Sequence, residues 1–239
     1  MRVEIWSDIA CPWCYVGKAR FEKALAAFPH RERVEVVHRS FELDPGRAKG
    51  DVQPVIGMLA QKYGMSEARA QAAEDNVGAQ AAAEGLPYRT RGRDDGGTFD
   101  MHRLLHHARA KGREDELLRA LYRANFAEER SVFGDDERLV ELAVDAGLDA
   151  DGAREVLADP AAYADDVRAE EREAVALGAT GVPFFVIDRA YGVSGAQPAE
   201  VFERALARAW GERSPLTLVD RDGDAEACGP DGCAVPRQG

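Results

Sequence analysis

Residues 6–18 read Trp6-Ser-Asp-Ile-Ala-Cys11-Pro-Trp-Cys14-Tyr-Val-Gly-Lys18, and this stretch decides how the rest of the chain can fold. It begins within a β-strand, predicted from Val3 to Ser7, because apolar and β-favouring residues dominate there. It leads into a helix, predicted from Pro12 to about Phe28, because apolar residues recur at helical spacing. The two cysteines therefore lie at the turn between a strand and a helix.

The residues of this turn favour a reactive thiol at Cys11. With Cys11 as the N-cap, Pro12 takes the first helical position, where its missing N–H removes no hydrogen bond. The free amides and the dipole of a helix N-terminus favour negative charge, so a thiolate on Cys11 is expected to be stabilised. We expect the backbone N–H of Cys14 to point toward the Cys11 sulfur. The Cys11 sulfur is expected to be exposed and the Cys14 sulfur to lie one turn down.

The spacing of the two cysteines adds a second argument. Residues three apart lie on one helical face, so the sulfurs of Cys11 and Cys14 are expected to come close enough for a disulfide. A Cys-x-x-Cys at a strand-to-helix turn is typical of a thioredoxin-like redox site. A structural zinc knuckle or a pair of packed thiols is the alternative interpretation.

Composition limits the partners that this chain can have. Its 239 residues carry a formal net charge of -12, so it is expected to repel phosphate backbones, and nucleic acid is not an expected partner. No apolar run approaches the roughly 20 residues of a membrane span. The first residues lead directly into a strand without an apolar signal region. We therefore expect a cytoplasmic protein, in which cysteines are more often catalytic or metal-binding than structural.

The chain changes character twice. Residues 1–50 predict β-α-β, with a second strand from Val34 to Phe41 that runs parallel to the first. Residues 51–179 are rich in Ala, Glu, Arg and Leu and predict five to seven helices. Residues 180–212 return to β-β-α. The two ends of the chain are therefore expected to form one thioredoxin-like domain around a helical insertion, followed by a flexible cysteine-containing tail at 213–239.

Capping signals subdivide the helical segment. Ser66 is a predicted N-cap, a short helix is predicted to begin at Asp151, and a last helix is predicted from about Ala161 to Leu177. A loop is predicted from Leu86 to Gly97. Three glycines are predicted helix ends, namely Gly64, Gly85 and Gly112.

Three motifs, in this order along the chain, resemble the DsbA-like branch of the thioredoxin superfamily and, within it, the FrnE subfamily. They are Ser7–Lys18, with its Cys-Pro-Trp-Cys; Thr98-Phe-Asp-Met-His-Arg-Leu-Leu-His106; and Thr180-Gly-Val-Pro-Phe-Phe-Val186. The resemblance covers about residues 2–212. It implies an α/β, thioredoxin-like fold of the form β-α-β … β-β-α with a large all-helical insertion. It also implies a protein disulfide oxidoreductase or isomerase acting on proteins or small molecules that carry thiols or disulfides.

The same resemblance implies roles for individual residues. Cys11 would be the attacking thiol and Cys14 the resolving thiol. Pro183 would be a cis-proline facing the disulfide, with Val182 presenting its backbone to a bound peptide. From the residues alone, a trans-proline that opens an edge strand is the alternative. The other substrate-binding residues that the resemblance implies are Pro12, Trp13 and His102.

Two further classes of protein compete with this interpretation. The chain resembles 2-hydroxychromene-2-carboxylate isomerases and kappa-class glutathione transferases, which typically carry Ser in place of the first cysteine. The presence of both Cys11 and Cys14 favours dithiol–disulfide exchange, although glutathione could be a substrate or reductant. A zinc-holding or redox-sensing protein is the third hypothesis. Apart from a redox-active disulfide, no cofactor is expected.

A second cysteine pair, Cys228 and Cys233, lies near the end of the chain. This Cys-x4-Cys can be inert, can exchange with Cys11 and Cys14 as a second redox pair, or can contribute to one zinc site with them. The spacing does not choose among the three interpretations.

Three other features have ordinary interpretations. His102 and His106 share a helical face, but no acidic third ligand is obviously spaced for a metal ion. The arginines of the loop, Arg89, Arg91 and Arg93, are predicted to be solvated. Asp8 is predicted to be an exposed loop carboxylate; if it lies near the sulfurs instead, it would oppose the thiolate and could shuttle a proton.

Overall fold

The computed structural model describes residues 1–213. Its first unit is β1 (Arg2–Ser7), α1 (Pro12–Ala27) and β2 (Glu35–Ser40), with a 3₁₀ turn at Arg31–Arg33. All of β1 after its first residue is buried, and the strand contains the apolar residues Val3, Ile5 and Trp6. The predicted strand and helix therefore form on either side of the two cysteines.

Seven helices and two very short strands follow before the chain returns to the sheet. They are β3 (Gln53–Pro54), α2 (Val55–Tyr63), α3 (Glu67–Ala83), β4 (Asp94–Asp95), α4 (Phe99–Ala110), α5 (Glu114–Ala127), α6 (Asp136–Asp145), α7 (Ala150–Ala158) and α8 (Ala164–Ala176). The side chain of Ser66 accepts a hydrogen bond from the backbone N–H of Arg69, as expected of an N-cap. The predicted end glycines all have positive φ, at 61° for Gly64, 74° for Gly85 and 67° for Gly112.

The last unit is β5 (Phe184–Ile187), β6 (Tyr191–Ser194) and α9 (Ala199–Gly211). The four longer strands form one sheet in the order β2-β1-β5-β6. β1 pairs parallel with β2 and antiparallel with β5, and β5 pairs antiparallel with β6. The two ends of the described chain thus supply one mixed sheet, which confirms the predicted α/β, thioredoxin-like arrangement with a helical insertion.

Two large hydrophobic clusters divide the core. One lies under the sheet and contains Ile5, Phe185 and Phe202, packed between the strands and helices α1 and α9. The other lies among the inserted helices, and Cys11 and Cys14 belong to it. The turn that carries Cys11 and Cys14 is therefore packed against the inserted helices. On the opposite sheet face, Trp6 packs with residues of β5 and α8.

Three predicted boundaries differ from the structure. Asp149, and not Asp151, caps α7, because its carboxylate accepts the backbone N–H of Gly152 at 2.9 Å. Helix α8 begins at Ala164 after Tyr163, whose positive φ of 58° interrupts the helix predicted from Ala161. The predicted loop from Leu86 to Gly97 contains β4, which pairs with β3. A pair of two-residue strands is too short to show a hydrophobic pattern that could be recognised in the sequence.

Within residues 1–213, every helix is too short or too polar to cross a membrane.

Candidate active site

Cys11 and Cys14 lie at the start of α1, and both are free thiols. Cys11 is the N-cap with extended backbone angles, and Pro12 is the first helical residue. Cys11 is 4% exposed and Cys14 is 1% exposed. The prediction of an exposed Cys11 sulfur is therefore wrong, because the inserted helices pack over the turn. The backbone N–H of Cys14 donates to the Cys11 carbonyl oxygen at 3.0 Å and not to its sulfur.

The loop before β5 faces the Cys11 sulfur. The Cys11 Sγ lies 3.7 Å from the carbonyl oxygen of Val182, within hydrogen-bond range for sulfur. The peptide bond between Val182 and Pro183 is cis, the geometry that the resemblance implied. On α1, a Cβ added to Gly17 would lie 2.9 Å from the Pro183 side chain. Only a glycine lets α1 approach this loop so closely.

A cavity of about 420 Å³ opens beside Cys11. Of the predicted substrate-binding residues, Pro12, Trp13 and Val182 line it. The opposite wall comes from the insertion, and Trp13, at 37% exposed, lies on the cavity wall near solvent. The lining residues of α2 and α3 are Val55, Met58, Leu59, Lys62, Tyr63, Ala73, Glu74 and Val77. Cys11 is thus accessible through a largely apolar cleft between the turn and the inserted helices.

Asp8 lies directly behind the turn and is 1% exposed, so the prediction of an exposed carboxylate is wrong. Its carboxylate accepts the backbone N–H of Leu43 at 2.7 Å and faces His102 Nε2 at 3.3 Å. Burial raises the pKa of Asp8, but the hydrogen bonds and the charge of His102 outweigh burial and hold this pKa below its usual range. Asp8 is therefore an ionised carboxylate in the interior.

His102 projects from α4 and is also 1% exposed. It contacts Asp8 and is absent from the cavity wall, so a direct contact with substrate stays a prediction from the resemblance. Because an ionised carboxylate only accepts hydrogen bonds, His102 Nε2 carries the hydrogen toward Asp8. Its other ring nitrogen, Nδ1, is buried and has no hydrogen-bond partner within residues 1–213.

The Cys14 thiol is enclosed. Burial raises the pKa of Cys14 well above its usual range, and the adjacent Cys11 sulfur raises it further. Tyr122 of α5 is 1% exposed, and its hydroxyl is buried without a hydrogen-bond partner among the described residues. Burial, followed by the proximity of Cys14, raises the pKa of Tyr122. Cys14 therefore stays protonated until another group accepts its proton.

A buried polar network holds the loop between β1 and α1 from the other side. The Asn125 side chain donates to the Ile9 carbonyl oxygen at 2.8 Å. Arg93 donates to Glu74 at 2.9 Å, and its guanidinium stands over the rings of Tyr88 and Phe126 at 4.8 and 4.9 Å. Arg93 is 5% exposed, so its predicted solvation is wrong.

The burial of Arg93 depends on residues far from it in sequence. Its carboxylate partner lies on α3, and its aromatic neighbours lie on α5 and in the preceding loop. No local pattern signals this arrangement. For Asp8, by contrast, the position three residues before Cys11 indicated in the sequence that its carboxylate could lie near the sulfurs.

The second predicted redox pair, Cys228 and Cys233, lies outside the described residues. Within residues 1–213, no three His, Cys, Asp or Glu side chains converge in a way that could hold a metal ion. His106, one of the two histidines considered for metal binding, faces Glu170 at 3.3 Å and the Ser40 hydroxyl at 3.2 Å.

Comparison with known proteins places this geometry in a family. The model of the DSBA-like thioredoxin domain family matches residues 2–207. The crystal structure of a probable DsbA oxidoreductase from Streptomyces coelicolor is 78% identical, with a TM-score of 0.91; the match covers 99% of this chain and 100% of that one. The uncharacterised protein YwbO of Bacillus subtilis is 28% identical over 211 residues, which cover 87% of this chain and 96% of YwbO.

A more distant structure shares the fold. The cytosolic disulfide reductase DsbM from Pseudomonas aeruginosa is 19% identical, with a TM-score of 0.59, and the match covers 88% of this chain and 99% of DsbM. The assignment to the FrnE subfamily stays a prediction from the three sequence motifs.

Proposed function

Because the chain belongs to the DSBA-like thioredoxin domain family, we propose that it is a thiol–disulfide oxidoreductase in which Cys11 attacks and Cys14 resolves. One observation carries the assignment of roles: Cys11 lines the cavity beside the Val182 carbonyl, whereas Cys14 is enclosed behind it. A substrate disulfide can reach Cys11 alone. Family membership and the 78% identical probable oxidoreductase support the same reaction.

The reaction has two exchange steps. The Cys11 thiolate attacks one sulfur of a substrate disulfide, a mixed disulfide forms, and the other substrate sulfur leaves as a thiolate. Cys14 then attacks the Cys11 sulfur, and the second substrate sulfur leaves. The substrate disulfide is reduced to two thiols, and the Cys11–Cys14 pair is oxidised to a disulfide. In the reverse direction the same steps oxidise a dithiol substrate.

The cavity supports an extended peptide or a small thiol as substrate. Its wall contains the Val182 backbone, which can pair with an extended peptide in the manner of a strand, and the exposed ring of Trp13 offers an apolar contact. The substrate class we propose is therefore proteins or small molecules that carry a disulfide or a thiol pair.

Replacement of each cysteine tests the two roles separately. With a self-quenched fluorescent peptide disulfide as substrate, Cys11→Ser should abolish reduction. In the Cys14→Ser variant, Cys11 should still attack the substrate disulfide. A stable mixed disulfide should then accumulate, which mass spectrometry detects. Activity retained in the Cys11→Ser variant, or no adduct in the Cys14→Ser variant, would contradict the assignment.

A further variant, Cys14→Ala, and two binding measurements address the competing functions. A glutathione-dependent isomerase or transferase should bind glutathione tightly and keep its activity in Cys14→Ala, because its chemistry needs no resolving thiol. A zinc-holding protein should contain stoichiometric zinc after metal-replete preparation. Elemental analysis and calorimetry with glutathione distinguish both from an oxidoreductase.

We further propose that Cys228 and Cys233 exchange with Cys11 and Cys14 as a second redox pair, and that the protein works in the cytoplasm. The presence of two further cysteines motivates the first proposal, and the cytosolic disulfide reductase DsbM, which shares the fold, motivates the second. The measurement is the reduction potential of Cys11–Cys14 in the full chain and in the double variant Cys228→Ser, Cys233→Ser. A changed potential or exchange rate supports exchange between the pairs, and unchanged values contradict it.

The potential also gives the direction of the reaction. A value near about -270 mV indicates a thioredoxin-like reductant, as expected for the cytoplasm, and one near about -120 mV indicates an oxidant of the DsbA type.

A further inference from the structure

Strand β2 forms one edge of the sheet that residues 1–213 build. The backbone N–H of Glu35 donates to the Met1 carbonyl oxygen and so points toward β1. Because successive residues of a strand present their backbone groups to opposite sides, those of Val36, His38 and Ser40 point away from β1. An edge of this kind is a template for another extended segment.

Side chains close the second half of this edge. Arg109 of α4 donates to the His38 carbonyl oxygen, and Glu170 of α8 accepts the backbone N–H of Ser40 at 2.7 Å. The N–H and carbonyl groups of Val36 and the N–H of His38 have no hydrogen-bond partner within residues 1–213. The stretch open to pairing is therefore residues 35–38, at the beginning of β2.

A cleft of about 670 Å³ lies beside this open stretch. Its apolar lining comes from the sheet and from α1, namely Ile5, Phe21, Leu25 and Val36. Leu25 and Val36 are only partly buried. The cleft thus offers apolar surface next to unpaired backbone groups, and both are suited to an extended apolar segment.

The charged side chains of the cleft are paired with one another. Lys18 contacts Asp115 at 2.7 Å, and Arg119 contacts Glu22 at 2.6 Å. All four residues line the cleft. Because these charges already have partners of opposite sign, the cleft favours an apolar occupant over an anion or a cation.

The chain continues beyond the described residues from a point close to this edge. The Arg213 guanidinium lies 5.2 Å from the centroid of the Trp210 ring, and the Arg33 guanidinium lies 5.2 Å from the same centroid. Arg33 stands two residues before the first residue of β2, and Arg31 lines the cleft. Residues 214–239 therefore start at the end of the sheet at which β2 begins.

The first of these residues have the sequence of a strand. Residues 214–220 read Ser-Pro-Leu216-Thr-Leu218-Val219-Asp, which contains three of the four Leu and Val residues of 214–239. Alternation places Leu216 and Leu218 on one side of an extended chain, and Thr and Val favour β structure. Leu216 stands three residues after Arg213, and three extended residues span about 10 Å.

We infer that Leu216–Val219 docks on this edge as an added strand parallel to β2, beside residues 35–38. Its backbone supplies partners for Val36 and for the N–H of His38. Leu216 and Leu218 enter the cleft and cover its apolar lining. The direction is parallel because this part of the chain arrives at the end of the sheet at which β2 begins.

The connection through α9 has a suitable topology for this strand. β6 runs in the same direction as β1 and β2, because β5 is antiparallel to both β1 and β6. Helices α1 and α9 pack on the same sheet face. A crossover from β6 through α9 to the outside of β2 therefore has the same hand as the β1-α1-β2 unit. Nearly all crossovers between parallel strands share one hand, so the inferred strand obeys this rule.

Docking at this edge would also direct the second cysteine pair. Because β2 is parallel to β1, the added strand runs toward the end of the sheet at which β1 leads into Cys11. Eight residues separate Val219 from Cys228. In extended form they span about 30 Å. This consequence, unlike the docking itself, rests on the proposed exchange between the two cysteine pairs.

Hydrogen exchange at single backbone amides, followed by NMR on the full-length protein, tests the docking. In the wild type the amides of Val36 and His38 should be protected from exchange. The double substitution Leu216→Ser, Leu218→Ser should accelerate their exchange by about tenfold or more, because the edge is then open to solvent.

Two neighbouring amides and one further variant serve as controls. The amides of Val37, which faces β1, and of Ser40, which donates to Glu170, should exchange equally in wild type and double variant. Their constancy separates loss of docking from a general loss of stability. Val235→Ser also removes an apolar side chain from residues 214–239, and it should leave the Val36 amide protected.

A photochemical cross-link gives a second measurement that needs no loss of docking. With p-benzoylphenylalanine in place of Leu218, irradiation should link this position to a residue of the cleft within the same chain, as mass spectrometry of the monomer shows. Cross-links between two chains alone, or amide protection that falls on dilution, would mean that a second copy covers the edge and would overturn the inference.

Equal exchange of the Val36 and His38 amides in the wild type and the double variant would overturn it as well. The reduction potential in Cys228→Ser, Cys233→Ser tests the exchange between cysteine pairs independently. Failure of the docking is therefore distinguishable from failure of the proposed function.

Discussion

Single buried charges determine much of how this protein holds its site, and Glu170 of α8 shows the effect most clearly. Glu170 is 5% exposed. Its carboxylate accepts hydrogen bonds from the side chains of Arg39 and Arg109 and from the backbone N–H of Ser40, each at 2.7 Å. Burial raises the pKa of Glu170, but His106 and these arginines outweigh burial and hold the pKa far below its usual range. One carboxylate therefore joins α8 and α4 to the edge strand β2.

Removal of this charge should destabilise the fold. Glu170→Gln leaves two guanidinium groups without their shared carboxylate, and breaking a buried ion pair costs about 3 to 5 kcal/mol. We expect a loss of about 3 kcal/mol in the free energy of unfolding, measured by urea denaturation at neutral pH.

The matched control is Glu137→Gln. The Glu137 side chain is 68% exposed, and its ion-pair partner within residues 1–213 is the half-exposed Arg154, at 3.5 Å. Exposed ion pairs of this kind contribute little to stability, so the urea midpoint of Glu137→Gln should equal that of the wild type. Equal effects of the two substitutions would contradict the assignment of Glu170 as an anchor.

At the scale of secondary-structure elements, the approach of α1 to the loop before β5 brings Cys11 and Val182 together. Gly17 is the contact point: an added Cβ would lie 2.9 Å from the Pro183 side chain and 3.3 Å from that of Ala196. The backbone N–H of Gly195 donates to the Pro183 carbonyl oxygen at 2.8 Å and restrains the loop. This hydrogen bond therefore holds the loop in its position beside α1.

A methyl group at this contact should separate the two elements. Gly17→Ala is expected to lose about 1 to 3 kcal/mol of stability through overpacking and to slow disulfide exchange, because Val182 shifts away from Cys11. Gly57→Ala in α2 is the control, since nothing lies within 4 Å of its added Cβ. It should gain about 0.5 to 1 kcal/mol, as Ala replaces Gly in a helix.

Thermal unfolding and the fluorescent peptide assay measure both effects. If Gly17→Ala exchanges disulfides at the wild-type rate, the close approach of α1 to this loop is not required for activity.

At the scale of the whole molecule, the junction between the sheet and the inserted helices contains several ionisable groups, and they make stability depend on pH. Glu42, just after β2, is 5% exposed and pairs with Arg168 of α8. Burial raises the pKa of Glu42 from 4.5 to about 7, against the opposing effects of His102 and Arg168. Between these two values the folded state binds more protons than the unfolded state.

Stability contributed by Glu42 should therefore be present below about pH 4.5 and be lost as pH rises to about 7. Glu42→Gln removes this titration. As pH rises across that window, the free energy of unfolding of Glu42→Gln should therefore increase relative to that of the wild type. With allowance for solvent screening, we expect this increase to be on the order of 1 to 2 kcal/mol. Urea unfolding at a series of pH values measures the difference, and a pH-independent difference would contradict the raised pKa.

Much of the architecture follows from the sequence alone. The strand, the Cys-x-x-Cys turn, the helix beginning at Pro12 and the helix ends at Gly64, Gly85 and Gly112 are local signals, and the structure has all of them. Such signals can be read because each depends on a few neighbouring residues: an amide to cap, a positive φ to accommodate or an apolar face to bury.

Only the tertiary structure decided the surroundings of the two thiols. Asp8, Arg93 and Cys11 were each expected to be exposed, and all three are buried. Inserted helices far away in sequence pack over the turn that carries Asp8 and Cys11, and Arg93 is enclosed between Glu74 of α3 and Phe126 of α5. The contact of Asp8 with His102 spans 94 residues, and the contact of Arg93 with Asn125 spans 32. Burial and charge pairing depend on which distant segments meet in space. The sequence by itself thus determined the fold and the two thiols, and packing of the insertion determined the environment in which they react.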